Sequence, residues 1–447
     1  MSMLSSPQPA RHRRMTLAAR AAISAFALVT GLAACRPGAT PISTATAADS
    51  ALIRRDVTWL ADDAREGRGT GTAGNAAAAA YVAARFAALG LTPLACASAC
   101  PDGWFQPFTA RVIARQRAGL PFELPARNVV GLVRGTDPAL RDEYVVIGGH
   151  YDHLGRDTLG ALDPDARDAV RNGADDNASG TVAVLELARL VARQPLKRTA
   201  VFVAFSGEEL GLLGSQHFVD AAPIPLARVQ AMFNFDMVGR LDREQLQVFG
   251  TATAAEFAPL LDETNRRFGF RLTATGDGFG RSDHASFYAK DIPVLHFFTG
   301  THADYHRASD DAARINAAGE AKVIDFAMAL LREVGDRPAR LTFVRAAAPV
   351  AAQPRAGRGA YLGSIPDMAA GDGTGLRLTG VRAGSPADVS GLKADDVIVE
   401  FGGKPVTDLY AYTDAIAAFA PGDTVQVVVR RAGQRVPLTV VLGRRGS

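Results

Sequence analysis

Six acidic or imidazole side chains in this 447-residue chain stand where the backbone pattern changes, and their types suit divalent cations. His150 follows the apolar run Tyr144–Gly149 (YVVIGG). Glu208 and Glu209 follow Thr199–Phe205 (TAVFVAF), and Asp236 follows Val229–Phe235 (VQAMFNF). Asp175 lies in GADDNASG, directly before a helix-like run, and His306 lies in YHRASDD. Short β-branched apolar runs of this kind fill parallel sheets. Open α/β sheets bind ligands beyond the carboxyl ends of their strands. Three runs that each deliver a metal-type side chain therefore predict one site at one sheet edge.

His150, Asp175, Glu209, Asp236 and His306 are the candidate metal ligands. A carboxylate shared by two cations completes a two-metal hydrolytic centre, and Asp175, in a loop entering a helix, is placed to bridge. Glu208 and Glu209 would repel each other at a strand end unless cations neutralise them. One can bind metal while its neighbour faces water as general base, because metal-bound water is acidic enough to give a nucleophile near neutral pH. Asp152, two residues from His150, points to the same side of an extended chain. It can accept the second ring N–H of His150. Taken singly, a Glu-Glu pair is ordinarily a solvated surface and an Asp-Asp pair a helix cap. The metal reading rests on their conjunction. His153, His217, His284, His296 and His302 read as core, hydrogen-bonding or surface histidines.

Alternating strands and helices predict an α/β domain, with a mixed, largely parallel sheet, over residues 50–343. Further strands are expected at Asn128–Val133, Leu246–Phe249 and Ile292–Phe298. Helices are expected at Ser50–Asp63, from Asn75 as cap to about Leu89, after Asn177, at Gly211–Val219, at Ala254–Phe268, at Ser282–Tyr288 and at Ala313–Val334. Leu91–Gln116 reads as loop-rich, and Asp157–Arg171 as a polar insertion. EGRGTGTAGN (Glu66–Asn75) is Gly-rich but lacks the GKS or GKT of a phosphate loop. A Pro/Ala linker spans 344–358, and a small β-rich module fills 359–446, with runs at Leu376–Val381, Asp396–Phe401, Thr424–Arg430 and Val436–Leu442 around a helix-like Asp408–Phe419.

The motifs GGHYDHLG, GADDNASG, FSGEELGLLGS, NFDMVG, SDHASF and YHRASDD, in that order, resemble the secreted two-zinc aminopeptidase family of zinc exopeptidases. The resemblance covers about Ser50–Arg340. It implies two zinc ions per chain, one held by His150 and Asp236 and the other by Glu209 and His306, with Asp175 bridging. It makes Glu208 the general base and acid, Asp152 the residue that orients His150, and the Asp175–Asp176 peptide cis. It implies peptide substrates attacked at their N-termini. Some members carry a tyrosine that polarises the substrate carbonyl three residues before the SDH serine. Phe279 stands there in this chain, which leaves Tyr305, beside His306, as the replacement. Carboxypeptidases and single-zinc glutaminyl cyclases are relatives, so both remain alternative activities. A non-catalytic, PDZ-led binding protein is the alternative of another class.

The C-terminal module resembles a bacterial PDZ domain through AYLGSIPDM, VRAGSPADVSGLKADDVIVEFGGKPV and DTVQVVVRRAGQRVPLTVVL. PDZ grooves take a peptide as an added strand and bind its terminal carboxylate on backbone N–H groups. Tyr361, Leu362, Gly363, Ser364 and Ile365 would form that loop, so protein C-termini are expected partners. Pro366 removes one donor from the would-be groove strand.

Net charge is +3. Arg11, Arg13, Arg14 and Arg20 lie in an acid-free leader. Without these four, the 49 basic residues become 45, against 46 acidic ones. No nucleic-acid partner is indicated. Residues 1–35 read as an export signal: a basic stretch, an apolar run Ala21–Ala34 too short to span a bilayer comfortably, then LAAC at Leu32–Cys35. This ending resembles a lipobox, with lipid attached at Cys35; the alternative is an ordinary cleaved signal peptide. The expected location is periplasmic, with membrane attachment only through that lipid, or secreted. Residues 36–49 form a tether. Cys96 and Cys100 suggest a local disulfide in an exported protein, against a CxxxC metal site as the alternative.

Overall fold

The computed structural model describes residues 46–94, 103–345 and 360–444, apart from short breaks at 113–114, 117–119, 158–159, 164–165, 277, 279, 281, 367–374, 383, 408–410, 413–414 and 417. The leader, Cys35, Cys96, Cys100 and Phe279 lie outside the described residues. No helix among the described residues is long and apolar enough to cross a membrane.

Nine strands build the first sheet: β1 (Thr92–Pro93), β2 (Phe105–Arg111), β3 (Glu123–Val133), β4 (Tyr144–His150), β5 (Thr199–Phe205), β6 (Val229–Phe235), β7 (Gln245–Phe249), β8 (Arg271–Thr275) and β9 (Val294–Phe298). Their order is β1-β3-β5-β4-β6-β9-β7-β8, with β2 paired to β3. β4 lies between β5 and β6 and runs parallel to both; β9 runs parallel to β6. β3 and β7 are antiparallel to their inner neighbours. The chain passes from β4 to β5 on one side, then from β5 across to β6 on the other side of β4. The crevice beyond its carboxyl end is therefore the topological switch point, where α/β sheets bind ligands. Every residue of β5 and β6 is buried, which explains their unbroken apolar sequences.

Helices α1 (Ser50–Leu60), α2 (Ala73–Ala88), α3 (Gly180–Arg193), α4 (Leu213–Asp220), α5 (Phe257–Phe268), α6 (His284–Tyr288) and α7 (Ala317–Asp336) cover the sheet. One apolar core joins α1, α2, α3 and α7 to one sheet face; a second gathers Phe205, Phe218, Phe287 and Tyr288 on the other. α3 is buried from Gly180 to Val191. A Cβ at Gly180 would lie 2.2 Å from the carbonyl oxygen of Phe235. Glycine here lets the loop before α3 approach the end of β6.

Three strands of this sheet depart from the sequence reading. β1 and β2 occupy the stretch expected to be loop-rich, and β8 was not expected at all. β2 is an edge strand with a mixed burial pattern, which gives weak periodicity. The cap of α2 is Thr72, whose hydroxyl accepts from the Asn75 N–H. The Asn75 side-chain amide instead donates to the Arg68 carbonyl at 3.0 Å.

Arg68 explains the Gly-rich segment. Its guanidinium is fully buried and donates to the carbonyls of Leu60 (2.9 Å), Tyr151 (2.7 Å), Asn172 (2.6 Å) and Gly173 (2.8 Å). Burial lowers its pKa to about 10, against the pull of Asp152, Asp176 and Asp310. Gly67 beside it has φ +59°, and a Cβ there would lie 2.0 Å from the Arg171 carbonyl oxygen. Arg68 thus ties α1 to both loops that carry the candidate site. Arg68→Met should strand four buried acceptors and destabilise the domain by roughly 4 kcal/mol or more, read by urea denaturation.

The C-terminal module has its own sheet and core. β10 (Ala360–Tyr361) pairs with β17 (Gly443–Arg444). β11 (Ser364–Pro366), β12 (Leu376–Val381), β13 (Val397–Phe401), β15 (Thr424–Arg431) and β16 (Gln434–Val441) form an antiparallel sheet, with β14 (Lys404–Pro405) on β13. Helix α8 spans Pro386–Val389. Leu362, Leu378, Ile398, Phe401, Val427 and Val429 fill the core. Arg431 binds the buried Asp396 carboxylate through two 2.7 Å hydrogen bonds. In the expected carboxylate-binding loop, Leu362 is buried and Gly363 has φ +84°. The register slips between Ile365 and Pro366. Of the helix-like stretch 408–419, residues 411–412 and 415–416 are helical, and the rest of its interior falls outside the described residues.

Candidate metal centre

The strand ends converge. His150, the last residue of β4, is 1% exposed. Its Nε2 lies 3.5 Å from an oxygen of Asp236, just past β6, and 3.5 Å from an oxygen of Asp176. The second Asp176 oxygen lies 3.1 Å from His306 Nε2, which is also 3.2 Å from Glu209. Two half-sites result, His150 with Asp236 and His306 with Glu209, and the carboxylate of Asp176 faces both.

Asp176, not Asp175, stands between them, which corrects the assignment of Asp175 as bridge. Asp175 is buried but points away. One oxygen accepts from the Gly239 N–H (2.7 Å) and the Ser179 hydroxyl (3.0 Å), and the other lies 3.1 Å from His302 Nε2. The cis peptide is likewise Asp176–Asn177 rather than Asp175–Asp176. The loop is set by Asp310, whose carboxylate accepts the N–H groups of both Asp175 (2.9 Å) and Asp176 (3.1 Å) and also pairs with Arg240 (3.0 Å). Asn177 then accepts from the Gly180 N–H at the start of α3.

Asp152 also differs in detail. The His150 Nδ1 partner at 3.1 Å is the Asp152 backbone carbonyl, while its carboxylate is 3.8 Å away. That carboxylate accepts from Thr70 (2.9 Å) and from the Glu208 N–H (3.2 Å). It therefore ties the loop bearing Glu208 to the end of β4. His153, read from sequence as a non-ligand, lies 2.6 Å from Glu209. Two atoms on one tetrahedral zinc with bonds of about 2.0–2.1 Å sit about 3.3–3.4 Å apart. The 2.6 Å contact is a hydrogen bond, so His153 holds Glu209, in an outer-layer role. The separations of 3.1–3.5 Å around His150 and His306 fit shared ligation instead.

The polar inventory supports the same fit. His150 Nε2 and one Asp236 oxygen are buried with no hydrogen-bond partner. Burial opposes charge on His150 and His306, yet the surrounding carboxylates raise both imidazoles well above their ordinary pKa. Burial also pushes Glu209 up, but His306 and His153 outweigh it and hold the carboxyl well below its usual range. Glu208 behaves oppositely. Burial, reinforced by Glu209, Asp236 and Asp283 against His150, raises it well above the carboxylate range. Adjacent carboxylates with opposed pKa shifts suit one for ligation and the other for proton transfer. His306 has φ +54°, and its Nδ1 lies 3.0 Å from the Gly160 carbonyl oxygen in the polar insertion. The Tyr305 ring stacks on His306 at 3.9 Å and packs against the core of the C-terminal module.

Sequence reasoning missed Arg68, His153 and Asp310. His153 and Asp310 lie inside the motifs that were read, and their spacing to His150 and His306 was the available signal.

Aminopeptidase YwaD of Bacillus subtilis is 30% identical over 179 residues, which are 39% of this chain and 36% of that protein. The curated relatives matched here are spanned over only a quarter to two fifths of their length. The fold resembles that of a Zn-dependent exopeptidase from Parabacteroides distasonis, with TM-score 0.52 and 18% identity, covering 65% of this chain and 99% of that one. It equally resembles glutaminyl cyclase of Porphyromonas gingivalis, with TM-score 0.53 and 20% identity, at the same coverage. Residues 128–331 match Peptidase family M28 and residues 360–442 match the PDZ domain. Residues 128–331 therefore form a domain of Peptidase family M28, and residues 360–442 a PDZ domain.

Proposed function

We propose that this protein is a two-zinc aminopeptidase that removes N-terminal residues from peptides. The observation that carries the reading is Asp176, with one oxygen toward His150 and the other toward His306. His150 and Asp236 would hold one ion, Glu209 and His306 the other, with Asp176 shared. Zinc bound there would polarise the scissile carbonyl and lower the pKa of water. Glu208 takes the proton from the attacking water and passes it to the leaving amine. Its raised pKa suits a group that must accept and then give a proton near neutrality. Asp152 fixes the Glu208 backbone, and His153 fixes Glu209. The Tyr305 hydroxyl is the candidate donor to the carbonyl oxygen. The PDZ domain would dock peptide or protein C-termini.

Purified protein should carry two zinc ions per chain by elemental analysis and hydrolyse aminoacyl amides. Chelation should abolish that hydrolysis and lower the melting temperature, because ions that bind only the folded state stabilise it. One zinc per chain with glutaminyl cyclisation would favour the cyclase chemistry that shares this fold.

A further inference from the structure

A cleft of about 690 Å³ opens beside the centre and reaches it through Glu209 and His153. Its floor thus belongs to the Glu209/His306 half-site; His150, Glu208 and Asp236 do not line it. The walls come from four segments: the turn after Arg68, the β2–β3 hairpin, the loop after β4 and the loop after β5. Val112, Leu120, Leu124, Leu154 and Leu210 make them mostly apolar. Arg115 and Asp157 are an ion pair within the wall, and Arg156 stands at the edge, donating to the Asp168 carbonyl. Leu120 is 39% exposed, one of few large apolar side chains left open among the described residues.

Charge is unequal across the centre. On the far side, the carboxyl groups of Glu208, Asp236 and Asp283 gather about His150. On the cleft side, Glu209 and Asp176 face two imidazoles, His153 and His306. One ion in each half-site would leave this asymmetry in place. A free α-ammonium is drawn to the carboxylate-rich side, so the rest of the peptide must depart over Glu209. The cleft falls within the roughly 300–1,000 Å³ range of pockets that enclose small ligands, enough for more than one residue.

Resting on the aminopeptidase reading, we propose that this cleft receives the residues beyond the scissile bond and selects peptides whose second residue is large and apolar. An acidic second residue would lose water against Val112, Leu120 and Leu124, where the nearest cation, Arg115, is committed to Asp157 and Arg156 stands only at the edge.

The test uses the full-length, zinc-loaded protein with Ala-Leu-Gly, Ala-Asp-Gly, alanine amide and leucine amide. Ala-Leu-Gly should exceed Ala-Asp-Gly in kcat/KM by tenfold or more. Leu120→Glu, at an exposed position, should cut that ratio at least fivefold without changing the ratio of leucine amide to alanine amide. Leu124→Ser should act in the same direction and guards against a folding defect in the first variant. A Leu:Asp ratio within twofold in the wild-type protein overturns the inference. So does a shift in first-residue preference in either variant, which would put the cleft on the acyl side. Failure to cleave either amide would instead sink the aminopeptidase reading itself.

Discussion

Asp176→Ala is expected to reduce bound zinc from two ions to one or fewer and to lower kcat/KM by about three orders of magnitude or more. Its two oxygens face the imidazoles of the two half-sites, His150 at 3.5 Å and His306 at 3.1 Å. Without it each half-site keeps one histidine and one carboxylate, too few to close a tetrahedral zinc. Asp175→Ala provides the contrast. Asp175 is fully buried, and its oxygens serve Gly239, Ser179 and His302. Its loss should destabilise the fold by about 2–4 kcal/mol, because it strands buried partners, yet the folded fraction should still bind metal. Elemental analysis beside thermal melting separates the two variants. Equal zinc loss in both would remove Asp176 from the bridging role.

Glu208→Gln should keep both ions and lose about 10²–10⁴-fold in kcat, the usual worth of a positioned general base. The substitution preserves shape, and Asp152 binds the Glu208 backbone N–H, which the variant retains. The fold should not suffer. Burial raises the Glu208 pKa on folding, so in the metal-free protein its contribution favours the folded state at low pH. That contribution is lost as pH rises from the unfolded pKa through the higher folded one. Removing the charge should therefore leave the metal-free melting temperature at pH 7 unchanged or higher. Near-normal turnover in the variant would take the general-base role away from Glu208.

The two variants differ in how far the sequence could lead to them. Glu208, Glu209, His150 and Asp236 were readable because each lies at the end of, or within four residues beyond, a strand that is buried along almost its whole length, and such a strand announces itself as a short apolar run. A strand fixes direction, so the residues at its end are delivered to the same edge of the sheet. Asp175 and Asp176 had no such ruler. They lie in an irregular turn, where a one-residue shift reverses which carboxylate faces the centre, and both residue types suit both roles. The decision is made by Asp310, 134 residues beyond Asp176, whose carboxylate gathers the two backbone N–H groups.

Arg68 illustrates the same limit from the other side. Its four hydrogen bonds all go to backbone carbonyls. Every residue type offers a carbonyl, so nothing in the partners' identities reveals the contact. Near the site, His153 shows only as one more histidine until its distance to Glu209 is known. By itself, the sequence determined the α/β class, the strands that end at the centre, and the residue types gathered there, because local periodicity and burial on both sheet faces leave a direct imprint on composition. Only the tertiary structure decided which aspartate is shared, which histidine supports rather than ligates, and on which side the apolar cleft opens, because those depend on distances between segments far apart in the chain.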